Sequence, residues 1–327
     1  MGGTFSRRRE FLLASYLITG GAGFIGSHIV RELLRRRQKV RVLDNFSTGR
    51  EENLHDCLDR IELIRGDVRD QRVVRRAVRG VDYILHQAAL ASVPRSIDHP
   101  VETNQVNVGG TLGLLQAARE AGARRFVLAS SSSVYGPSPR LPKRESARPR
   151  PISPYAISKF TGEQYCRVFF QLYGLQTVCL RYFNVFGPRQ NPASQYAAVI
   201  PKFILAFLQG ARPVIHGDGR QSRDFSYVSN VVQANILACR VEQACGRVFN
   251  VACGRRYTIN DLAARLGRML DLRGEPVHTA SRPGDVRHSL ADITRARRLL
   301  GYRPRVSFEE GLERTVAWFK KDRKASS

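Results

Sequence analysis

A chain of 327 residues with 43% hydrophobic content can bury one large α/β core or two interleaved lobes, which excludes a disordered protein. No apolar stretch is long enough to span a bilayer, which excludes a transmembrane one. The 53 Lys and Arg against 28 Asp and Glu give +25, but 46 of these cations are arginines spread along the chain. That reads as a general arginine preference, with anionic surfaces or nucleic acid as weaker readings.

Residues 1–13 read as an N-terminal extension. Met1-Gly2 with Ser6 imitates a myristoylation pattern, and Arg8-Arg9-Glu10-Phe11-Leu12 imitates a twin-arginine signal. The apolar run Phe11–Ile18 leads straight into a glycine loop, so cleavage there would destroy the first strand. A cytoplasmic protein is expected.

Strands are predicted at Ser15–Thr19, Val40–Asp44, Ile61–Arg65, Tyr83–His86, Arg125–Ser130 and Thr177–Arg181. Helices are predicted at Phe24–Arg37, Gln71–Arg79, Val101–Ala121 and Tyr155–Tyr173. This alternation predicts an α/β fold, a Rossmann-type doubly wound parallel sheet. After Asn184, breaks at Gly187-Pro188, Pro192, Pro201 and Gly217–Gly219 loosen the pattern. A helix at Val228–Cys239, a strand at Val248–Val251 and helices near Ile259–Leu270 and Phe308–Lys320 then suggest a smaller, discontinuous C-terminal lobe. The expected division is 14–183 plus about 226–252 for the dinucleotide domain, and 184–225 plus about 253–327 for the substrate lobe. The six cysteines (57, 166, 179, 239, 245 and 253) form no CxxC pair and read as free thiols, with no metal site.

Gly20-Gly21-Ala22-Gly23-Phe24-Ile25-Gly26 follows the first strand and opens a helix. Gly20 suits the tight turn, Gly23 the approach of a phosphate, and Gly26 close helix–strand packing, with helix-start amides facing a pyrophosphate. Asp44 ends the second strand 18 residues after Gly26, where a carboxylate accepts from ribose hydroxyls and repels a 2′-phosphate. NAD is therefore expected over NADP, with Asn45, Ser47, Thr48 and Gly49 continuing the adenosine pocket.

Tyr155-Ala156-Ile157-Ser158-Lys159 puts Tyr and Lys four apart on one helix face. A nearby ammonium is expected to lower the Tyr155 pKa toward neutrality, so that the phenol serves as base. In a chain with 7 lysines, one kept here is informative. The run Ser130-Ser131-Ser132-Ser133 sits at the carboxyl end of a predicted strand, where open α/β sheets bind ligands. Ser131 is the candidate relay for a substrate hydroxyl.

Together with Val134-Tyr135-Gly136 and Arg181-Tyr182-Phe183-Asn184, these motifs resemble the extended short-chain dehydrogenase/reductase superfamily. Within it the chain is similar to NAD-dependent nucleotide-sugar epimerases, most nearly UDP-N-acetylglucosamine (UDP-glucose) 4-epimerases, from about Ser15 to Phe319. Further matching segments are Gln87-Ala88-Ala89, Ser92-Val93-Pro94-Arg95-Ser96, Asn107-Val108-Gly109-Gly110-Thr111 and Arg223-Asp224-Phe225. The resemblance implies catalysis by Ser131, Tyr155 and Lys159. For NAD it implies, beyond the loop and the adenosine pocket, Phe24, Ile25, Asp67, Val68, Gln87, Ala88, Ala89, Asn107, Tyr155, Lys159, Tyr182 and Val185. For the UDP-sugar it implies Ser92, Ser131, Ser132, Tyr155, Asn184, Arg223, Arg282, Asp285 and Ser289.

Related dehydratases carry Thr-Asp-Glu at positions 131–133, and related UDP-glucuronate decarboxylases a Glu at 132. Here three serines supply no acid/base carboxylate, which disfavours elimination. The residue at 289 gates the sugar's C2 substituent in similar epimerases; a small Ser289 leaves room for N-acetyl. The other readings are a UDP-uronic acid 4-epimerase, with Lys202 or Arg95 meeting the carboxylate, and a non-catalytic NAD-sensing or RNA-associated protein. The resemblance also implies a homodimer joined through a four-helix bundle.

Overall fold

The computed structural model describes residues 13–137, 140–192, 198–271, 275–280 and 286–326. Its centre is a seven-stranded sheet in the order β11-β6-β5-β4-β1-β2-β3, every pairing parallel. The strands are β1 (Ser15–Thr19), β2 (Lys39–Asp44), β3 (Glu62–Arg65), β4 (Tyr83–His86), β5 (Arg125–Ser131), β6 (Gln176–Tyr182) and β11 (Arg247–Val251). All seven match the predicted positions to within a residue at either end. Apolar runs buried on both faces, as in β5, are what a helix-covered parallel sheet requires. The chain runs outward through β1, β2 and β3 and then crosses back to β4. The carboxyl ends therefore diverge beside β1 and open a crevice.

Helix α1 (Phe24–Arg35) buries Gly26, Ile29, Val30 and Leu33, a one-sided stripe at helical spacing. With α8 (Val228–Arg240) it covers one face of the sheet. On the other face lie α2 (Gln71–Val78), α5 (Gly110–Glu120) and α6 (Pro154–Tyr173). Helix α6 starts sharply because Ser153 accepts the Ala156 N–H and Pro154 occupies the first turn; it stops at Gly174, whose φ is +70°.

The helix expected over Val101–Ala121 is broken. It runs as α4 (Pro100–Asn104), a π turn at Gln105–Gly109, and then α5. Within that turn the Asn107 amide binds both backbone groups of Leu90 (2.8 and 3.2 Å) and donates to Ser158 Oγ at 3.0 Å. Helix α3 (Val93–Asp98) was not anticipated; Ser92 caps it and Pro94 stands in its first turn.

The C-terminal lobe is stitched from three two-stranded pairs: β7 (Val185–Phe186) with β10 (Ser226–Tyr227), β9 (Ser222–Arg223) with β12 (Tyr257–Thr258), and β8 (Val214–His216) with β13 (Val277–Thr279). Between them pack α7 (Val199–Leu208), α9 (Ile259–Leu270) and α10 (Phe308–Ser326), around Phe203, Phe225, Leu262, Phe308 and Leu312. Pro201, read as a break, lies in the first turn of α7, where its missing N–H costs nothing. No helix among the described residues is long and apolar enough to cross a membrane.

Candidate active site

The glycine loop closes over the crevice because side chains would not fit. A Cβ on Gly20, at φ +69°, would come 2.6 Å from Ala88 N; one on Gly26 would come 2.1 Å from Gly20 O. Gly23 caps α1 without a side-chain acceptor, so the first-turn amides and the positive helix end are left for an anion. Asp44 is buried and accepts N–H bonds from Ala22 and Phe46, both at 2.8 Å, which ties the end of β2 to the loop. Burial pushes its pKa up against those two donors.

One cleft runs from Asp44, Asn45, Ser47, Thr48 and Gly49, past Gly20, Gly23, Phe24 and Ile25, to Gln87, Ala88, Ala89, Tyr155, Lys159 and Tyr182. Val68 also lines it, as do Arg69 and Glu102, which the motifs did not mark. This donor set fits a dinucleotide: amides at a helix start in the middle, a carboxylate at one end, a phenol and an ammonium at the other.

Four expected cofactor residues stand elsewhere. Gly26 lies behind the loop, packed on Gly20. Asp67 stands behind Asn45, whose amide it accepts at 2.7 Å, and the Arg69 guanidinium holds its carboxyl down at about 2. Asn107 is spent on Leu90 and Ser158 and acts on the backbone. Val185 lines a second cleft, on the side of the C-terminal lobe.

Beside the first cleft, Tyr155 is half-buried and Lys159 buried on one face of α6. Lys159 Nζ donates to Ala129 O at 2.9 Å and lies 6.0 Å from the Tyr155 ring centroid. The expected lowering of the Tyr155 pKa is not produced by the chain's own groups. Burial raises it, and the side-chain hydrogen bond with Ser131 only partly offsets this. Burial instead lowers Lys159, to about 8. Ser130 and Ser131 face opposite ways, as alternation along a strand requires. Ser130 Oγ donates inward to Glu163, while Ser131 Oγ accepts from the Ser133 N–H and hydroxyl. Ser132 begins the short turn Ser132–Tyr135.

The second cleft is walled by Asn184, Val185, Phe186, Lys202, His216, Gln221 and Arg223. His216 and Gln221 carried no motif; the glycine turn Gly217–Gly219 between them was the available signal. Asn184 holds a left-handed φ of +36° and donates to Asp224 O at 3.0 Å and to Ser289 Oγ at 3.3 Å. In the Arg-Asp-Phe motif, Arg223 reaches the cleft and Phe225 enters the core. Asp224 is fully buried, accepting backbone N–H bonds from Cys253, Gly254 and Ala291 at 3.0 to 3.2 Å. Desolvation pushes its pKa up to about 7 against those donors. Ser92 Oγ accepts the Arg95 N–H at the start of α3. Arg282 and Asp285 lie outside the described residues.

A doubly wound sheet with a glycine loop at its switch point and a Ser/Tyr/Lys set at the strand ends defines an extended short-chain dehydrogenase/reductase. Residues 16–252 match the NAD dependent epimerase/dehydratase family, and the chain belongs to it. It is 39% identical over 308 residues to the UDP-glucose 4-epimerase of Mycolicibacterium smegmatis, covering 93% of this chain and 98% of that one. Among solved structures, a UDP-N-acetylglucosamine 4-epimerase from Methanobrevibacter ruminantium, in complex with UDP-N-acetylmuramic acid, superposes with a TM-score of 0.91. It is 43% identical, over 95% of this chain and 99% of that one. A dTDP-glucose 4,6-dehydratase of Streptomyces venezuelae with NAD and TYD bound gives a TM-score of 0.88 at 34% identity, over 95% and 98%.

Proposed function

We propose that the chain interconverts C4 epimers of a UDP-hexose, UDP-N-acetylglucosamine and UDP-N-acetylgalactosamine foremost, with UDP-glucose and UDP-galactose as a second pair. The observation that carries this reading is the end of β5. Epimerase and dehydratase relatives superpose almost equally well, so the overall fold does not discriminate. Elimination of water needs an acid and a base beside the sugar, and positions 131–133 offer only hydroxyls.

The glycine loop, Asp44, Tyr155 and Lys159 would hold NAD, which would supply a reversible hydride acceptor. Tyr155 takes the proton of the 4-hydroxyl, directly or through Ser131. It does so as the phenolate, which Lys159 stabilises when it is protonated. Arg223 and Asn184 in the second cleft hold the nucleotide part, where a guanidinium suits phosphate. The hydride lost from C4 would be held by NAD and given back, so Tyr155 would return the proton to a 4-keto sugar reduced on its other face, with no net redox.

Ser289 leaves space at C2 for an N-acetyl group. Of the two cations a uronate would use, Arg95 already pairs with Glu102 at 3.3 Å, while Lys202 lines the second cleft. Exposed Ile157, Leu172 and Tyr173 on α6, with Val101 on α4, offer the apolar face for a homodimer through paired helices. Incubation with each UDP-sugar and catalytic NAD+, resolved by NMR, should yield the C4 epimer of the N-acetyl sugar. Tyr155→Phe should abolish turnover while NAD stays bound. Near-normal activity in that variant would sink the assignment.

A further inference from the structure

Tyr155, Lys159 and Glu163 recur every four residues on one face of α6. Opposite them, three consecutive residues end β5. Lys159 Nζ grips Ala129 O at 2.9 Å, Glu163 Oε1 accepts from Ser130 Oγ at 2.5 Å, and Ser131 Oγ accepts from the Ser133 N–H and hydroxyl beside Tyr155. Glu163 is gripped in turn by β6, where Arg181 Nε and Nη2 meet its two oxygens at 2.8 and 2.7 Å. Arg181 stands in register with Ser130, and its neighbour Tyr182, in the cleft wall, with Ser131. The guanidinium rests 4.6 Å from the Tyr135 ring centroid, and Tyr135 donates to Asn250 Oδ1 at 2.7 Å.

Both charges are buried, with side chains 4% and 1% exposed. A buried ion pair is a poor means to stability, because apolar residues of the same volume often do as well. What it supplies is geometry, two fixed bonds to one strand and a third to the next. The pair adds no net charge beside Lys159. The Ser130 hydroxyl is consumed by it, although Ser130 itself lines the first cleft.

We propose that the Glu163–Arg181 pair positions the active site, setting through Ser130 how the end of β5 meets α6 and hence how Ser131 meets Tyr155. Its kinetic consequence rests on the epimerase reading; the geometric one does not. Ser130→Ala removes a single O–H and leaves every charge in place, including Lys159 on the same helix face and neutral His86 on β4. It should lower kcat about tenfold with KM little changed, since small misplacements at a reacting centre are costly. It should also shift Ser131 away from Tyr155, and since Ser131 acts to lower that group's pKa, the Tyr155 titration moves upward. That titration is read by NMR on protein carrying [13Cζ]tyrosine, with the resonance assigned through Tyr155→Phe.

Glu163→Gln strands the Arg181 cation and can cost the fold, so the second test is the double variant Glu163→Gln/Arg181→Met, which buries no charge. The proposal expects it to regain thermal stability and keep the low kcat. Recovery of wild-type kcat along with stability would overturn the proposal, as would an unmoved Tyr155 titration in Ser130→Ala. If the wild type turns over no UDP-sugar, the epimerase reading falls, and the titration alone decides the positioning role.

Discussion

Lys159 is held in a site that penalises its charge, and its removal should therefore stabilise the protein while ending catalysis. Burial lowers its pKa from 10.5 to about 8. At about 1.4 kcal/mol per unit, that difference is a cost of ~3 kcal/mol for keeping the ammonium inside at neutral pH. Lys159→Met fills similar space without a charge. It forfeits the bond to Ala129 O, worth ~1 kcal/mol, so the net gain is ~2 kcal/mol. For a chain of 327 residues that raises Tm by roughly 3 °C. The sign with pH follows from proton counting. Between about 8 and 10.5 the unfolded chain retains a proton the folded one has released, so wild-type stability from this group rises with pH across that window. Below it the full penalty stands, and above it the penalty vanishes. Thermal melts of cofactor-free wild type and Lys159→Met at neutral pH and near pH 10 provide the assay, with turnover measured alongside. The reasoning fails if the variant melts at or below wild type at neutral pH, or if its advantage persists undiminished at the alkaline end.

Two further outcomes follow from the geometry. Gly26→Ala should yield protein lacking bound NAD, measured by absorbance after denaturation, because its Cβ would meet Gly20 O at 2.1 Å and Gly21 Cα at 2.8 Å, both rigid backbone. Ser289→Tyr should cut kcat/KM for UDP-N-acetylglucosamine by about 100-fold while UDP-glucose falls far less, since bulk beside Asn184 excludes only the larger C2 substituent. Equal losses on both sugars would leave Ser289 an ordinary loop residue.

The sheet was legible because a covered parallel strand is a short apolar run between turn signals, and six such runs precede Asn184. The C-terminal lobe was less so, because two- and three-residue strands such as Ser226–Tyr227 are too short to carry a period, and the prolines mislead. Pro201 reads as a breaker by composition yet sits in the one turn of a helix that tolerates it. The glycine loop and the Tyr155/Lys159 pair were legible for a different reason: their spacing is itself the geometry, four residues to one helix face. The chain's own groups do not lower the Tyr155 pKa, because proximity in sequence says nothing of solvation, and burial raises it.

Asn107, Glu163 and Asp224 show where such reading stops. Each is polar and lies within or near a motif, so sequence favours a ligand contact or a solvated charge. In the fold each is nearly or fully buried and bound to protein: Asn107 to the Leu90 backbone, Glu163 to Arg181, Asp224 to three backbone amides. Only tertiary structure distinguishes a group that faces a substrate from one that fixes its neighbour, because both need the same residue types near the same strand ends. Ser130 and Ser131 make the point most sharply. They are identical and adjacent, and the two-residue period of β5 sends one hydroxyl to the buried Glu163 carboxylate and the other to the Ser133 N–H and hydroxyl.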